Sequence, residues 1–183
     1  AVPCLSMSGT VCHLLVSRPI AYPPMRSEFA VPADLDPVTR HPQATPPGEP
    51  VGSHNASCYG CGPRTPHGLH IVTIAGEGFT VYADLRVEPW MEGGPGVIHG
   101  GLLATAIDEV LGSVPKLATG AAVTGHLELD YLKPVPVGLT VRITAELLGV
   151  KGRKIYSKAV VRPADSDQEL AIAHALFIVP RPR

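Results

Sequence analysis

The sequence predicts an α+β domain in which an antiparallel sheet of about six strands curves around one long helix. One apolar segment has helical periodicity, and segments on either side of it have the short apolar runs or alternating pattern of strands. The order is two strands, one helix and four strands, without the regular alternation of strand and helix that is typical of a parallel sheet. The strands are therefore expected to pair antiparallel.

The two strands before the helix are predicted over residues 69–74 and 79–85. Both are short strand-like runs, and the residues between them include Gly76 and Gly78. Glycine-containing turns of this length join antiparallel strands, so the two runs predict a hairpin.

The helix is predicted over residues 99–118. Apolar residues recur along it at helical spacing and form a wide stripe: Leu102, Leu103, Ala106, Ile107, Val110, Leu111 and Val114. A helix that is apolar on most of its faces is buried, so this one is expected at the centre of the domain.

Four further strands are predicted, over residues 123–131, 139–147, 154–161 and 169–179. In the first of them, Leu127, Leu129 and Tyr131 alternate with polar residues, which is typical of a half-buried strand. A glycine-containing turn at residues 149–152 is expected to join the second strand to the third.

The length and the distribution of proline define the expected domain. The 183 residues suffice for one domain with a tail and are too few for two full-sized domains. Ten of the 20 prolines fall within residues 1–50, where they prevent a long helix or a central strand. We therefore expect residues 1–50 to be a tail or a loosely docked arm and residues 51–183 to form the domain.

The composition disfavours several classes of protein. The formal net charge of -1 gives no overall attraction to nucleic acid or to acidic membranes. No apolar run reaches the roughly 18 residues of a transmembrane helix. Four cysteines are too few for a disulfide scaffold, so a reducing cytoplasm is the expected compartment.

Two glycines, Gly100 and Gly101, open the predicted helix directly after His99. The first N–H groups of a helix have no partner within it and carry partial positive charge. Bare N–H groups at this position can stabilise a carbonyl oxygen that becomes negative during a reaction. The alternative is that the glycines only allow the chain to turn and the helix to pack.

Asp108 lies in the middle of the apolar helix, where a carboxylate is costly unless it is paired or used. The residues on the same side are small and leave space beside it: Gly101, Ala104, Thr105 and Gly112. The alternative is a carboxylate satisfied by a local hydroxyl or by solvent. The neighbouring Glu109 is expected to be partly exposed or salt-bridged and is the weaker catalytic candidate.

The spacing within the helix also predicts an assembly. Gly101 and Asp108 are two turns apart, or about 10 Å along the axis, so one reacting carbonyl cannot lie close to both groups of one helix. If both act on it, they come from different subunits, which predicts an obligate dimer with two equivalent sites.

The segment from Gly96 to Asp108 has the pattern GxxHGGxxATxxD. It resembles the hotdog-fold acyl-CoA thioesterases, in particular the branch of the bacterial phenylacetyl-CoA thioesterases and the mammalian thioesterase-superfamily proteins. The resemblance covers about residues 54–180 and includes residues 57–62, 66–69 and 124–136.

The resemblance implies hydrolysis of an acyl-CoA thioester to a free acid and coenzyme A, without a metal or a bound cofactor. It implies that the Gly100 N–H polarises the thioester carbonyl with Gly101 close by, and that Asp108 activates water or attacks the carbonyl directly. Thr124 would help to hold the water, and His99 would have a supporting role at the start of the helix. Some relatives carry an asparagine upstream of the glycines, and this chain has none there.

The resemblance also implies a homo-oligomer, either a dimer or a dimer of dimers, that binds acyl-CoA. Ala104, Thr105 and Gly112 leave space for the acyl group. Arg153 and Lys154 are candidates for binding the phosphates of coenzyme A, and the alternative for them is a solvated turn. Two rival functions remain open. One is a different reaction on the same fold, and the other is a dimer that binds acyl-CoA or a protein without catalysis.

The pair Cys58 and Cys61 raises the question of a metal or redox site. Zinc would need two further ligands, and His54, His67 and His70 lie near in the sequence. The spacing is shorter than in the usual finger modules, so thiols packed in a tight turn are the favoured interpretation, with no metal.

Overall fold

The structure, a computed structural model, describes residues 29–181. In chain order its strands are β1 (Ile74–Ala75), β2 (Thr80–Arg86), β3 (Glu92–Gly94), β4 (Val97–Ile98), β5 (Val123–Tyr131), β6 (Thr140–Lys151), β7 (Lys154–Pro163) and β8 (Ala171–Ile178). The helices are α1 (Gly100–Leu111) and α2 (Pro115–Ala118), with a short 3-10 turn at Pro89–Met91. The predicted six-stranded antiparallel sheet around one central helix is confirmed.

The large sheet has the order β1-β2-β6-β7-β8-β5, and all neighbouring strands are antiparallel. The helix α1 contacts five of these strands from the inner face of the sheet. Near the middle of that face the side chains of β7 and β8 are small and buried: Ala159, Ala171, Ala173 and Ala175. Small side chains allow the helix to approach the sheet closely, so the core forms between them.

The helix is shorter than predicted. Residues 99–118 were expected to form one helix, but α1 ends at Leu111 and the separate turn α2 begins at Pro115. The Gly112 N–H bonds to the Asp108 carbonyl at 2.8 Å and caps α1. Pro115 has no N–H and begins a new helical turn, which proline tolerates at that position.

The prediction of a strand over residues 69–74 is wrong for most of its length. Only Ile74–Ala75 pairs with β2. Upstream of it, the N–H groups of Leu69 and Ile71 bond to the carbonyls of Tyr59 and Gly60, both at 2.8 Å. The backbone of this segment is therefore engaged by the preceding loop.

The sequence analysis also missed two local features. The glycine-rich residues before α1 form the small sheet of β3 and β4, whose strands are too short to show an alternating pattern. The strand β6 extends to Lys151 because an irregularity between Leu147 and Gly149 absorbs one residue, so the turn predicted at residues 149–152 is shorter.

The described part of the N-terminal segment, residues 29–50, contacts the domain. The Phe29 ring stacks on His174 and meets Tyr156 edge-on, on the outer face of the sheet. The Asp36 N–H bonds to the Val150 carbonyl at 2.8 Å, and Lys151 lies 2.9 Å from the carboxylate of Asp34. The remainder of the predicted arm, residues 1–28, lies outside the described residues.

Candidate active site

One side of α1 is not covered by the sheet, and Asp108 lies on that side. The residues predicted to share its face are partly or fully exposed: Gly101, Ala104, Thr105 and Gly112. The opposite side carries Leu103, Ile107 and Leu111, which are buried in the core. The Thr105 hydroxyl bonds to the Gly101 carbonyl at 2.8 Å and not to Asp108, so the local partner considered for the carboxylate is engaged elsewhere.

The carboxylate of Asp108 is held by strand β5. The Thr124 hydroxyl donates a hydrogen bond to Oδ1 of Asp108 at 3.0 Å. Burial raises the pKa of Asp108, the hydrogen bond from Thr124 opposes that rise, and the charge of Glu109 adds to it. A partly buried carboxylate whose pKa is raised is a stronger proton acceptor than an ordinary surface aspartate.

A β-bulge at Gly125 places Thr124 on the inner face of the sheet. Thr124 is paired with Phe177 and Tyr131 with Ala171, both buried residues of β8. Seven positions separate the two residues on β5 but only six separate their partners, so both lie on the same face.

His99 caps the start of α1. Its Nδ1 accepts a hydrogen bond from the Gly101 N–H at 3.0 Å. This bond occupies one of the two N–H groups that the sequence analysis expected to be bare, because the side chain of His99 folds back over the first turn. Within residues 29–181, the Gly100 N–H is left without an acceptor.

Tyr131 contacts the same helix terminus, a role that was not predicted from the sequence. The Tyr131 hydroxyl donates to the Gly100 carbonyl at 2.6 Å, and burial raises the pKa of this phenol. The alternation along β5 already put Tyr131 on the face that points to the helix. Only the pairing of β5 with β8 shows that it reaches Gly100.

Glu109 points away from Asp108 into a second cluster. Its side chain is 10% exposed and lies 3.6 Å from Nδ1 of His54, and the Cys58 thiol donates to its Oε2 at 3.3 Å. Burial raises the pKa of the Cys61 thiol, whose sulfur lies 3.4 Å from Nδ1 of His54. Glu109 is thus more deeply buried than expected, although His54 lies within ion-pair distance.

The basic residues of the β6–β7 turn lie at the same end of the sheet as Thr124. Lys154 is paired with Ile178, and Ile178 with Val123. Lys154 and Val123 are therefore two strands apart, or about 10 Å across the sheet. Lys154 is exposed, while the guanidinium of Arg153 bonds to the Val179 carbonyl at 2.8 Å.

A cleft of about 360 Å³ lies on the outer face of the sheet, between the ends of β6 and β7. It is lined by polar residues that include Arg142, Arg162 and Asp165. The cleft includes neither Asp108 nor Thr124, so it is separate from the candidate active site.

An antiparallel six-stranded sheet around one central helix is the hotdog fold, which solved thioesterase structures share. Residues 95–169 match the family model of the Thioesterase superfamily. This part of the chain is thus similar to the Thioesterase superfamily.

Named relatives match about half of the chain. The acyl-coenzyme A thioesterase THEM4 of Xenopus laevis is 37% identical over 90 residues, which are 49% of this chain and 40% of that protein. The THEM4 protein of Bos taurus is 38% identical over 90 residues, 49% of this chain and 37% of that protein. The matched segment thus spans well under half the length of these relatives.

Solved structures share the fold. The crystal structure of a thioesterase superfamily protein has a TM-score of 0.63 at 27% identity and covers 68% of this chain and 61% of its own. A Streptococcus mutans UA159 protein bound to acetyl CoA has a TM-score of 0.57 at 24% identity and covers 62% and 90%. Among residues 29–181, no helix has the length and apolar character needed to cross a membrane.

Proposed function

We propose that this chain hydrolyses acyl-CoA thioesters. The observation that carries the proposal is the Asp108 carboxylate, held by Thr124 on the uncovered side of α1. The relatives named acyl-coenzyme A thioesterase support this choice of substrate class. In the reaction, the oxygen of water bonds to the thioester carbon, the carbon–sulfur bond breaks, and the thiolate of coenzyme A takes up a proton.

Asp108 has one of two roles in this reaction. As a general base it accepts the proton of the attacking water, which Thr124 helps to orient. As a nucleophile it attacks the carbonyl itself and forms a mixed anhydride that water then cleaves. Single-turnover hydrolysis in ¹⁸O-labelled water tests the nucleophile role. If water attacks the Asp108 carbon of the anhydride, the label enters Asp108 and the first acid released carries an unlabelled oxygen of Asp108, whereas direct attack by water places the label in the acid.

The Gly100 N–H is the proposed donor to the carbonyl oxygen as negative charge develops on it. The helix positions Gly100 and Asp108 eight residues, or about 12 Å, apart along its axis. A single carbonyl therefore meets the Gly100 N–H of one subunit and Asp108 of another. His99 and Tyr131 act as positioning residues, because they hold the backbone on either side of the donor.

The second subunit is proposed to be another copy of this chain. Within residues 29–181, one edge of β5 has no partner strand. Exposed apolar side chains lie at both ends of this edge, at Val123 and Tyr131. Unpaired edges with exposed apolar residues pair readily with a second chain, so β5 fits a homodimer interface.

The substrate is proposed to span the helix and the basic turn. The acyl group would lie along Ala104, Thr105 and Gly112, where small side chains leave room beside Asp108. The phosphates of coenzyme A would contact Lys154 and Arg153, which lie at the Thr124 end of the sheet.

The test is thiol release from short, aromatic and long acyl-CoAs by the wild type and by Asp108→Asn. We expect the rate to fall at least about a hundredfold in the variant while the melting temperature is retained. Asp130→Asn is the matched control, because it makes the same change at a carboxylate on the outer face of the sheet, where Asp130 is paired with Ile172.

Each outcome has a defined meaning. A wild type that binds acyl-CoA without releasing thiol would replace the proposal with the non-catalytic binding function. Equal activity of the wild type and Asp108→Asn would reject the role of this carboxylate.

A further inference from the structure

A cluster of four metal-ligating side chains lies outside the proposed catalytic pair. His54, Cys58 and Cys61 come from the loop before β1, and Glu109 comes from α1. One ligand atom of each residue lies within 4.8 Å of all the others. Fifty-one positions separate Cys58 from Glu109, so the fold and not the local sequence assembles the cluster.

The separations of the ligand atoms fit a tetrahedral ion. With zinc–ligand bonds of about 2.0–2.3 Å, the ligand atoms of a tetrahedral site lie roughly 3.3–3.8 Å apart. The Cys58 sulfur lies 3.3 Å from Oε2 of Glu109, and the Cys61 sulfur lies 3.4 Å from Nδ1 of His54. In a third pair, Nδ1 of His54 lies 3.6 Å from Oε1, the other carboxylate oxygen of Glu109.

The loop has little freedom to take another shape. The Gly62 N–H bonds to the Cys58 carbonyl at 2.8 Å and closes a tight turn around the two cysteines. A side chain at Gly60 would overlap the carboxylate of Glu109, and one at Gly62 would overlap the backbone of Cys58. Gly60 thus allows the loop to lie close to the helix, and Gly62 allows the turn around the cysteines to close.

The burial of Glu109 favours a cation at this place. A carboxylate that is 10% exposed is costly unless a charge or strong donors meet it. Thiols are weak hydrogen-bond donors, and Cys58 is the donor here. His54 is 52% exposed, so an ion can enter from solvent on that side.

We propose that His54, Cys58, Cys61 and Glu109 bind a zinc ion that fastens the loop before β1 to helix α1. Two thiolates, an imidazole and a carboxylate are ligands that zinc takes in tetrahedral sites. Each cysteine releases its proton on binding, and all four coordination positions are filled by protein. The site is therefore structural, and it holds the helical turn that also carries Asp108.

This proposal revises the sequence interpretation for a physical reason. From the sequence, the candidates for further ligands were His54, His67 and His70, and packed thiols were the favoured interpretation. In the structure, Nδ1 of His70 is bonded to the Gly62 carbonyl at 3.1 Å, and the fourth ligand comes from the helix. A search of the sequence for cysteine and histidine spacings cannot find Glu109, because this residue lies on a distant helix.

The test is the zinc content of the full chain, purified without a histidine tag and dialysed against zinc-free buffer. We expect about one equivalent per chain by mass spectrometry of the metal. Replacement by cobalt(II) should give the thiolate charge-transfer band and the intense visible bands of a tetrahedral site. Extraction by a strong chelator should lower the melting temperature. These readouts do not depend on thioester hydrolysis, so they distinguish this proposal from the proposed function.

Two conservative variants test the ligand set. Cys58→Ser and Glu109→Gln should each weaken zinc binding at least about tenfold, whereas His67→Ala, an exposed histidine of the same loop, should retain it. A wild type that binds no zinc after reduction and loading would overturn the proposal, as would a Cys58–Cys61 disulfide in the protein purified without oxidant. Undiminished binding by Cys58→Ser or by Glu109→Gln would also overturn it. If a variant fails to fold, the cobalt spectrum and the chelator response of the wild type still test the proposal, because they need no variant.

Discussion

The Thr124 hydroxyl donates a 3.0 Å hydrogen bond to Oδ1 of Asp108 and so joins the edge strand of the sheet to the central helix. Thr124 reaches the helix because the bulge at Gly125 shifts the register of β5 by one residue. The bond fixes the orientation of the carboxylate and leaves its second oxygen free of this contact. Activity should therefore depend on this hydroxyl as well as on the carboxylate.

Removal of this hydroxyl should lower turnover more than it affects substrate binding. For Thr124→Val we expect kcat to fall about ten- to a hundredfold with a small change in KM, because the misoriented carboxylate no longer positions water. Thr124→Ser keeps the donor and should retain most of the activity. Steady-state kinetics with the best acyl-CoA measures both variants. A change confined to KM would argue that Thr124 contacts substrate instead.

Mixed dimers should show whether each site uses two subunits. Gly100→Pro removes the proposed donor while proline is tolerated as the first residue of a helix, and Asp108→Asn removes the carboxylate. Each variant alone should be inactive. A heterodimer of the two has one intact site, so equal mixing with subunit exchange should restore about a quarter of wild-type activity. Two folded variants that exchange subunits and stay inactive would place both groups in one subunit.

The sequence predicts the fold class well because the sheet and helix have strong periodicity. The apolar stripe of α1 and the alternation along β5 reflect burial on one side, which is repeated over many residues. The predicted end of the helix and the predicted strand at residues 69–74 were wrong, because these features depend on single residues and on loop contacts. Pro115 and the carbonyls of Tyr59 and Gly60 decide these points.

The site is predictable only as far as the residues act within one element. Asp108 and Gly100 stand out in the sequence because a carboxylate and glycines are unusual in a buried helix. The contacts of Tyr131 with Gly100 and of Cys58 with Glu109 join elements that are far apart in the chain. Only the packing of the sheet and the loop against α1 brings these pairs together.

The hydroxyl of Tyr131 should contribute to stability through its bond to the Gly100 carbonyl. We expect Tyr131→Phe to lower the free energy of unfolding by about 0.5–1.5 kcal/mol, because the ring is kept and one hydrogen bond is lost. Urea denaturation measures the change. Tyr59→Phe is the matched control, since Tyr59 is similarly exposed but its hydroxyl makes no hydrogen bond within residues 29–181, and its effect should stay within about 0.5 kcal/mol. Equal effects of the two substitutions would contradict a specific role for the bond.

The close approach of Gly60 to Glu109 should make that glycine intolerant of a side chain. A methyl group at Gly60 would overlap Oε2 of Glu109. The carboxylate can move away only by leaving its contacts with Cys58 and His54, so Gly60→Ala should destabilise the fold by about 1–2 kcal/mol. At Gly94 the added carbon would lie 3.5 Å from Val97, an ordinary contact, and Gly94→Ala should change stability by less than about 0.5 kcal/mol. Thermal and urea denaturation of both variants test the difference, and a neutral Gly60→Ala would contradict the packing.

The pair of Asp84 and Arg142 on β2 and β6 should make stability depend on acid pH. Two hydrogen bonds of 2.7 Å join the guanidinium to the carboxylate and hold the pKa of Asp84 below its ordinary value of 3.8. In the unfolded chain the carboxylate regains its ordinary pKa. The contribution of the pair is therefore complete above about pH 4–5 and is lost as the pH falls through the lowered pKa of the folded state.

Asp84→Asn should remove this part of the acid dependence. Both side chains are nearly half exposed, so solvent screening limits the effect to about 1 kcal/mol or less. The variant should be less stable than the wild type at about pH 6 and should approach it as the pH falls through the lowered pKa of Asp84. Asp165→Asn makes the same charge change at an exposed residue and serves as the control in urea denaturation at both pH values. A stability difference for Asp84→Asn that stays constant from about pH 6 to 2 would show that the loss comes from packing and not from the ion pair.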